Sequence, residues 1–399
     1  MSSAGPILND PSIHVKRIFS GLRYPTSMAF LGPHDILVLE KDEGTVQRIV
    51  NGNILGEPLL QVKVDRTDER GMLGIAISRN ETKNATYVFL YYTEFKPIHH
   101  SQGITLGNRL YRYELVGNKL VNPKLLVDLP VNPGPDHNGG KIKVGSHGNV
   151  YLTIGEMRGS FNETKYETKA QNYRDGPDPD GRAGILRVTQ DGKPVAKGII
   201  GERYPLNLYY AYGIKNSFGM DFDPITRNLW DTENGPTFGD EINLVKPGFN
   251  SGWSRVQGIW TVDNKSERID KIAPPNPSNL VTFNGKGKYS KPEFTWLDSV
   301  APTALTFVYS DKLGKRYEND MFVGDIKFGN IYDFKLNYDR TELVLNDTLA
   351  DKVADNMEEA NRTVLGSKFG GITDLTLGPD GYLYVLVFDA TNGTIFKVG

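Results

Sequence analysis

Only six histidines occur in this chain, and one of them has neighbours suited to proton transfer. His137 lies in Pro135-Asp136-His137-Asn138-Gly139-Gly140. Imidazole titrates near neutrality, so it is the ordinary proton acceptor of protein chemistry, and an adjacent carboxylate, here Asp136, can orient it. The paired glycines allow close backbone approach. His99 and His100 form a pair, while His14, His34 and His147 stand scattered, so none of these keeps the same company. On spacing alone His137 reads equally well as a turn residue. Two further segments carry chemistry. Tyr212-Gly213-Ile214-Lys215-Asn216-Ser217-Phe218-Gly219 sets a cation beside an amide at a turn. Glu233-Asn234-Gly235-Pro236, followed by Asp240 and Glu241, places main-chain carbonyls among acids, and calcium takes oxygen ligands of both kinds. Gly-Pro is also a common turn dipeptide, and the spacing leaves both readings open.

These groups are far apart in sequence, so a repeated scaffold must gather them. One unit recurs at fixed offsets. The run Ile36-Leu-Val-Leu-Glu40 is followed by Gly44 and Val46; Met321-Phe-Val-Gly-Asp325 by Gly329 and Ile331; Tyr384-Val-Leu-Val-Phe-Asp389 by Gly393 and Ile395. Each reads as a strand, a tight turn and a returning strand. Tyr87 to Tyr92, Val150 to Glu156 and Asn228 to Glu233 share the first half of the unit, and their return strands follow longer excursions. Segments such as Ser27 to Phe30, Leu73 to Ile77, Ala304 to Phe307 and Ile372 to Leu377 supply a preceding strand. Six units of four strands predict an all-β fold, a six-bladed β-propeller formed by residues 1–399 as one domain. A large sandwich is the plainer alternative. The segment His14 to Phe19 is expected to pair with the last unit and close the ring, which removes exposed sheet edges. Asp351 to Asn361 is the one decent helix candidate. Strand ends gather Glu40, Glu156, Glu233, Asp325 and Asp389 at one mouth, where loops are expected at 94–108, 157–182 and 234–240. Such acids also read as turn residues.

Composition narrows the partners. There are 46 basic and 48 acidic residues, a net charge of −2, which argues against nucleic acid or an anionic membrane surface. The chain has no cysteine, so disulfides, thiolate nucleophiles and Cys-ligated metals are excluded. No apolar run reaches membrane-spanning length. The first residues lack the charged and apolar regions of a signal peptide. Either the chain is cytoplasmic or a signal has been removed. Seven N-x-S/T triplets, at Asn80, Asn84, Asn162, Asn264, Asn346, Asn361 and Asn392, favour an exported, extracellular or cell-surface protein.

Taken in order, Asp-His-Asn-Gly-Gly, Tyr-Gly-x-x-Asn, Glu-x-Gly-Pro-x-x-x-Asp-Glu-Ile-Asn-Leu and Gly-x-Asn-x-Gly-Trp253 resemble the soluble glucose and aldose sugar dehydrogenases that use pyrroloquinoline quinone (PQQ). The likeness extends from the segment Gly21 to Phe30 through Ser299-Val-Ala-Pro302 to Gly378-Pro-Asp-Gly-Tyr-Leu-Tyr384. It implies a six-bladed propeller that oxidises aldoses at C1 to lactones, passing hydride to the quinone and then electrons to an external acceptor. The resemblance makes His137, beside Asp136, the base, and Asn216 and Lys327 quinone contacts. It makes the carbonyls of Gly235 and Pro236 ligands of a calcium that polarises the quinone. Glu241 matches an acid holding a second, structural calcium, although that acid's usual tyrosine partner is Ser251 here. Four positions depart from the family pattern. Lys215 stands for an arginine, Arg70 for a glutamine, and Gly371 and Thr373 for paired arginines. Arg70, Lys215 and Lys327 are expected to supply the positive charge that a tricarboxylate needs. Two other classes stay open: a non-catalytic binding propeller, and a calcium-dependent lactonase-like hydrolase using the mouth acids.

Overall fold

The computed structural model describes residues 5–99, 102–158, 167–263 and 265–399. The fold is all-β: six sheets of four or more strands and one of three. The large sheets begin with Pro25–Gly32, Met72–Asn80, Ile142–Val144, Gly219–Phe222, Pro302–Val308 and Ile372–Leu377, all but Ile142–Val144 at segments that the repeat anticipates. The second strands are the apolar runs. Asp35–Glu40, Ala85–His99, Val150–Ile154, Leu229–Glu233, Asp320–Asp325 and Leu383–Val387 each lie between two antiparallel neighbours. Continuous rather than alternating apolar sequence suits them, because both of their faces are covered. In Asp35–Glu40, for example, every residue after the first is buried.

The sheets share cores pairwise. One apolar cluster joins the first and second sheets through Leu37, Leu39, Val88 and Leu90. Others join the second to the third, the third to the fourth, the fourth to the fifth and the fifth to the sixth. A further cluster, with Met28, Val38, Tyr384 and Leu386, joins the sixth to the first. The N-terminal strand Val15–Leu22 runs antiparallel to Gly393–Val398 on the sixth sheet, so the two chain ends are stitched together.

Three expectations need correction. The 351–361 segment is not a helix throughout: Val353–Ala354 pairs in parallel with Thr295 and Trp296, leaving a helix of five residues, Met357–Asn361, capped by Asn356. A free sheet edge competes successfully with helix propensity there. Most of the 94–108 stretch is strand, because the hairpin Ala85–His99 and Gln102–Val116 continues with Ile104 opposite Lys96. The 234–240 loop is shortened by a strand that starts at Phe238. Residues 159–166 of the 157–182 stretch lie outside the described residues, as do the triplets at Asn162 and Asn264. Asn84, Asn346, Asn361 and Asn392 are exposed and Asn80 is half-buried. No helix among the described residues is long and apolar enough to cross a membrane.

Candidate functional site

A cavity of about 460 Å3 lies where the ends of the strands meet. It brings together His137, Lys215, Asn216, Gly235 and Pro236, which sequence spreads over a hundred positions. His137 has φ of 61°, in the left-handed region that a residue with a Cβ enters at a cost of roughly 1–2 kcal/mol. Gly139 and Gly140 follow, also at positive φ. A Cβ on Gly139 would lie 2.6 Å from the Thr153 carbonyl oxygen, so the close approach needs glycine. Asn138, fully buried, accepts from Asn108 Nδ2 at 3.0 Å through its side chain and from the Tyr91 hydroxyl at 3.0 Å through its carbonyl. The loop carrying His137 is therefore pinned on both sides.

The imidazole is held between opposite charges. Its Nδ1 lies 3.0 Å from Glu156 Oε1, and its Nε2 lies 3.1 Å from Lys215 Nζ. Its backbone N–H donates to Glu69 Oε2 at 2.6 Å. The neighbouring Asp136 does not orient the ring as adjacency suggested. Its backbone bridges to Arg158, and Glu156, one of the strand-end acids, takes the orienting place. Burial alone would raise the Glu156 pKa. The His137 hydrogen bond, the Lys215 charge and the Trp253 indole N–H, 2.5 Å from Oε2, hold it down at about 2. Glu156 is thus a carboxylate at any working pH, and it favours the Nδ1–H tautomer that leaves Nε2 as the acceptor nitrogen.

Asn216 is 2% exposed, and its Oδ1 has no hydrogen-bond partner. A buried unpaired acceptor on a cavity wall costs free energy until something donates to it or replaces it. Gly235 and Pro236 line the cavity beside Asn216, whose carbonyl accepts from Asn234 N at 2.8 Å, and no hydrogen bond among the described residues reaches either of their carbonyl oxygens. Asp240, one of the acids that the sequence sets beside Gly235 and Pro236, fixes this wall. Its Oδ1 accepts from the Gly235 N–H at 2.8 Å. Its Oδ2 accepts from Ser299 Oγ, Val300 N and Ala301 N at 2.8, 2.7 and 2.8 Å.

The structure does not bring Arg70 or Lys327 into the cavity. Arg70 donates to Asp65 Oδ2 at 2.8 Å and to the Val131 carbonyl, so its guanidinium is spent on loop structure. Lys327 is exposed at the rim, its Nζ 2.7 Å from the Ser299 carbonyl and 5.0 Å from the Phe328 ring centre. The positive charge on the wall comes instead from Lys41, Lys141, Arg158 and Lys215. Lys141 pairs with Asp374 Oδ1 at 2.5 Å and is 7% exposed; burial lowers its pKa. A buried lysine is recognisable only once its depth is known, which is why sequence missed it.

Glu241 is engaged differently from a metal ligand. Its carboxylate accepts from Asn243 Nδ2 at 3.0 Å, Ser251 Oγ at 3.0 Å, Gln257 Nε2 at 3.1 Å and Gly258 N at 2.5 Å. Those donors engage both oxygens, and the neighbouring Asp231 carboxylate is buried with neither oxygen hydrogen-bonded among the described residues. Ser251 also reaches Glu233 Oε2 at 2.5 Å, so one hydroxyl proton serves two carboxyl groups. Burial and mutual repulsion push both acids above the usual carboxylate range. The remaining mouth acids close turns. Glu40 accepts from Arg23 N, Thr45 Oγ1 and Gln47 Nε2, Asp325 from Phe328 N and Gly329 N, and Asp389 from Thr391 N and Asn392 N. Among the described residues the acids lining the cavity are Asp68 and Glu69, and none of the strand-end acids Glu40, Glu156, Glu233, Asp325 and Asp389 lines it.

The family model described as glucose/sorbosone dehydrogenase matches residues 22–397. The chain belongs to that family. It is similar to the aldose sugar dehydrogenase YliI of Escherichia coli, 24% identical over 390 residues covering 97% of this chain and 93% of that protein. It is also similar to quinoprotein glucose dehydrogenase B of Acinetobacter calcoaceticus, 26% identical over 441 residues covering 94% and 86%. Among solved structures, the PQQ-bound aldose sugar dehydrogenase of Streptomyces coelicolor superimposes with a TM-score of 0.68 at 20% identity, covering 97% of this chain and 98% of that one. At that identity the likeness establishes the fold and leaves residue roles to the geometry. Membership of this sugar dehydrogenase family agrees with the motif order around His137, Asn216 and Gly235.

Proposed function

We propose that this family member is a quinone- and calcium-dependent dehydrogenase that oxidises aldoses at C1 to lactones, with His137 as the base. The observation that carries the proposal is the Glu156–His137–Lys215 line at the cavity wall, beside the unpaired Asn216 and the Gly235 and Pro236 carbonyls. In the same reading, the six large sheets are blades of a closed propeller in a single exported domain, since consecutive sheets share cores and so do the sixth and the first.

The residues fit a flat anionic cofactor. Lys215 offers charge and Asn216 an amide, while Lys41 and Lys141, paired with Asp42 and Asp374, stand on the wall with Thr373. The Gly235 and Pro236 carbonyls are hard oxygen donors, as calcium requires. When bound, the quinone with its calcium would supply the hydride acceptor. The protein's own part is positional and protolytic. Glu156 fixes the ring of His137 and stabilises its protonated form. The Nε2 lone pair takes the C1 hydroxyl proton. Lys215 occupies that nitrogen in the structure, so the sugar hydroxyl must displace its ammonium, which then remains close to the cofactor's negative charge. Asp240 holds the Gly235–Pro236 wall at a fixed distance from the 299–301 rim. Electrons leave to an external acceptor.

The test is direct. Purified protein given PQQ, calcium and an aldose should reduce a dye, and chelation before loading should prevent it. Absence of activity together with no change in the quinone absorption band would overturn the proposal. Lactone hydrolysis without quinone would replace it.

A further inference from the structure

A second cavity lies at the other ends of the strands. The strand Asp35–Glu40 runs between the two: Ile36 lines the second cavity, and Lys41, one residue past the strand, lines the first. Five steps of extended chain separate them by about 17 Å. The second cavity measures about 590 Å3 and is bounded by the N-terminal strand, the turns at His34 and Asn51, and the sixth sheet. That volume lies within the usual range of small-ligand sites, roughly 300–1,000 Å3.

Its charge is one-sided. Lys16, Arg17 and Lys397 line it together with His14 and His34, and no Asp or Glu does among the described residues. The protein as a whole carries −2, so this is a local concentration. Lys397 has a partner, Asp380 Oδ2 at 2.7 Å, and lies 3.9 Å from the Tyr382 ring centre. The side chains of Lys16 and Arg17, both exposed, make no hydrogen bond or ion pair among the described residues.

Two backbone features add to the charge. Lys16 stands directly opposite Lys397 in the strand pairing, and directly opposed like charges destabilise a sheet. The register then slips by one between Arg17 and Phe19. Such a bulge re-aims side chains and is over-represented beside functional sites. An anion beside this pair would offset the repulsion, which Asp380 relieves from the Lys397 side only.

We propose that this cavity binds a small, multiply charged anion bearing carboxylate, sulfate or phosphate groups. Lys16 and Lys397, which face each other across the strand pairing, contact the charges, and Ile36 and Ile49 the apolar remainder. Charge-assisted hydrogen bonds to such groups are about twice as strong as neutral ones. The site is independent of quinone chemistry and is tested without it.

Calorimetry on the full chain with inorganic tripolyphosphate, trigalacturonate and a sulfated heparin disaccharide identifies the source, with maltotriose as the neutral control. At least one anion is expected to bind saturably with an affinity that falls as salt rises, and maltotriose is expected not to bind. The double substitution Lys16→Gln/Lys397→Gln should weaken that binding by about tenfold or more. Lys16→Gln alone should raise the ligand-free melting temperature by relieving repulsion against Lys397. It should also shrink the further rise that the anion gives the wild type, a readout that keeps the test decisive should the double variant fold poorly. Failure of all three anions to bind below millimolar concentration, or binding that both variants retain unchanged, overturns the proposal.

Discussion

Replacing Glu156 by Gln keeps the side-chain shape and removes one charge from the centre of the site. Oε1 lies 3.0 Å from His137 Nδ1, and Oε2 lies 2.5 Å from the Trp253 indole nitrogen. A glutamine has one acceptor oxygen for these two donors, so one N–H must face an NH2 group. The charged hydrogen bond to the ring, worth about 1.5–3 kcal/mol, becomes a neutral one or none. The protonated ring also loses its counter-charge, an interaction of about 4 kcal/mol between unit charges 4 Å apart at an effective dielectric constant near 20. Lys215, 3.1 Å from Nε2, then acts on the ring unopposed. Allowing for compensation by water, the imidazolium loses roughly 2–4 kcal/mol, which is about 30- to 1,000-fold in kcat. The assay is dye reduction by quinone- and calcium-loaded protein across pH, beside a quinone titration. Quinone affinity should change little, kcat should fall within that range, and the acidic limb of the rate profile should move to lower pH. A variant that folds, binds quinone and turns over within threefold of wild type would refute the assignment of Glu156 as the group that orients and charges His137.

Other expectations follow from the same geometry. Lys215→Met should weaken quinone binding more than it lowers kcat for loaded protein, because the ammonium faces the cavity and competes for the ring nitrogen that accepts the proton; a titration monitored by absorption checks this. Asp240→Ala strips acceptors from Ser299 Oγ and the N–H groups of Gly235, Val300 and Ala301, and should cost about 3–5 kcal/mol of stability by denaturant unfolding while loosening calcium retention. Burial raises Asp325 from 3.8 to about 6 in the folded protein. Folding there takes up a proton, so stability is fullest below the unfolded value and falls as pH rises from about 4 to about 6, and Asp325→Asn should flatten that slope in melting curves. Glu156 works in the opposite sense: its contribution is present above the ordinary value of 4.5 and is lost as pH falls towards about 2.

The sequence spelled out the strands because their patterning is local. An apolar run ending in an acid, with a glycine four positions on, needs no distant information to read as a hairpin. Val353–Ala354 was illegible for the opposite reason, since its conformation is decided by a partner strand near Thr295. His137, Lys215, Asn216, Gly235 and Pro236 were recognisable because each sits in a compact motif. The partners of His137 were not. Glu69 and Glu156 are 68 and 19 positions away, and only folding brings them to the ring. Asp136 looked like the partner because it is adjacent, but the left-handed backbone at His137 turns the ring towards the third sheet. Lys41 and Lys141 resemble solvated lysines in sequence, and it is their position on the cavity wall that marks them.

The central claim is best tested by titrating wild type and His137→Ala with PQQ in the presence of calcium, then adding an aldose. Both proteins should shift the quinone absorption band at similar concentrations, while turnover of the variant falls by about 10²–10⁴. Equal turnover in the two proteins, or no band shift in either, would contradict the account.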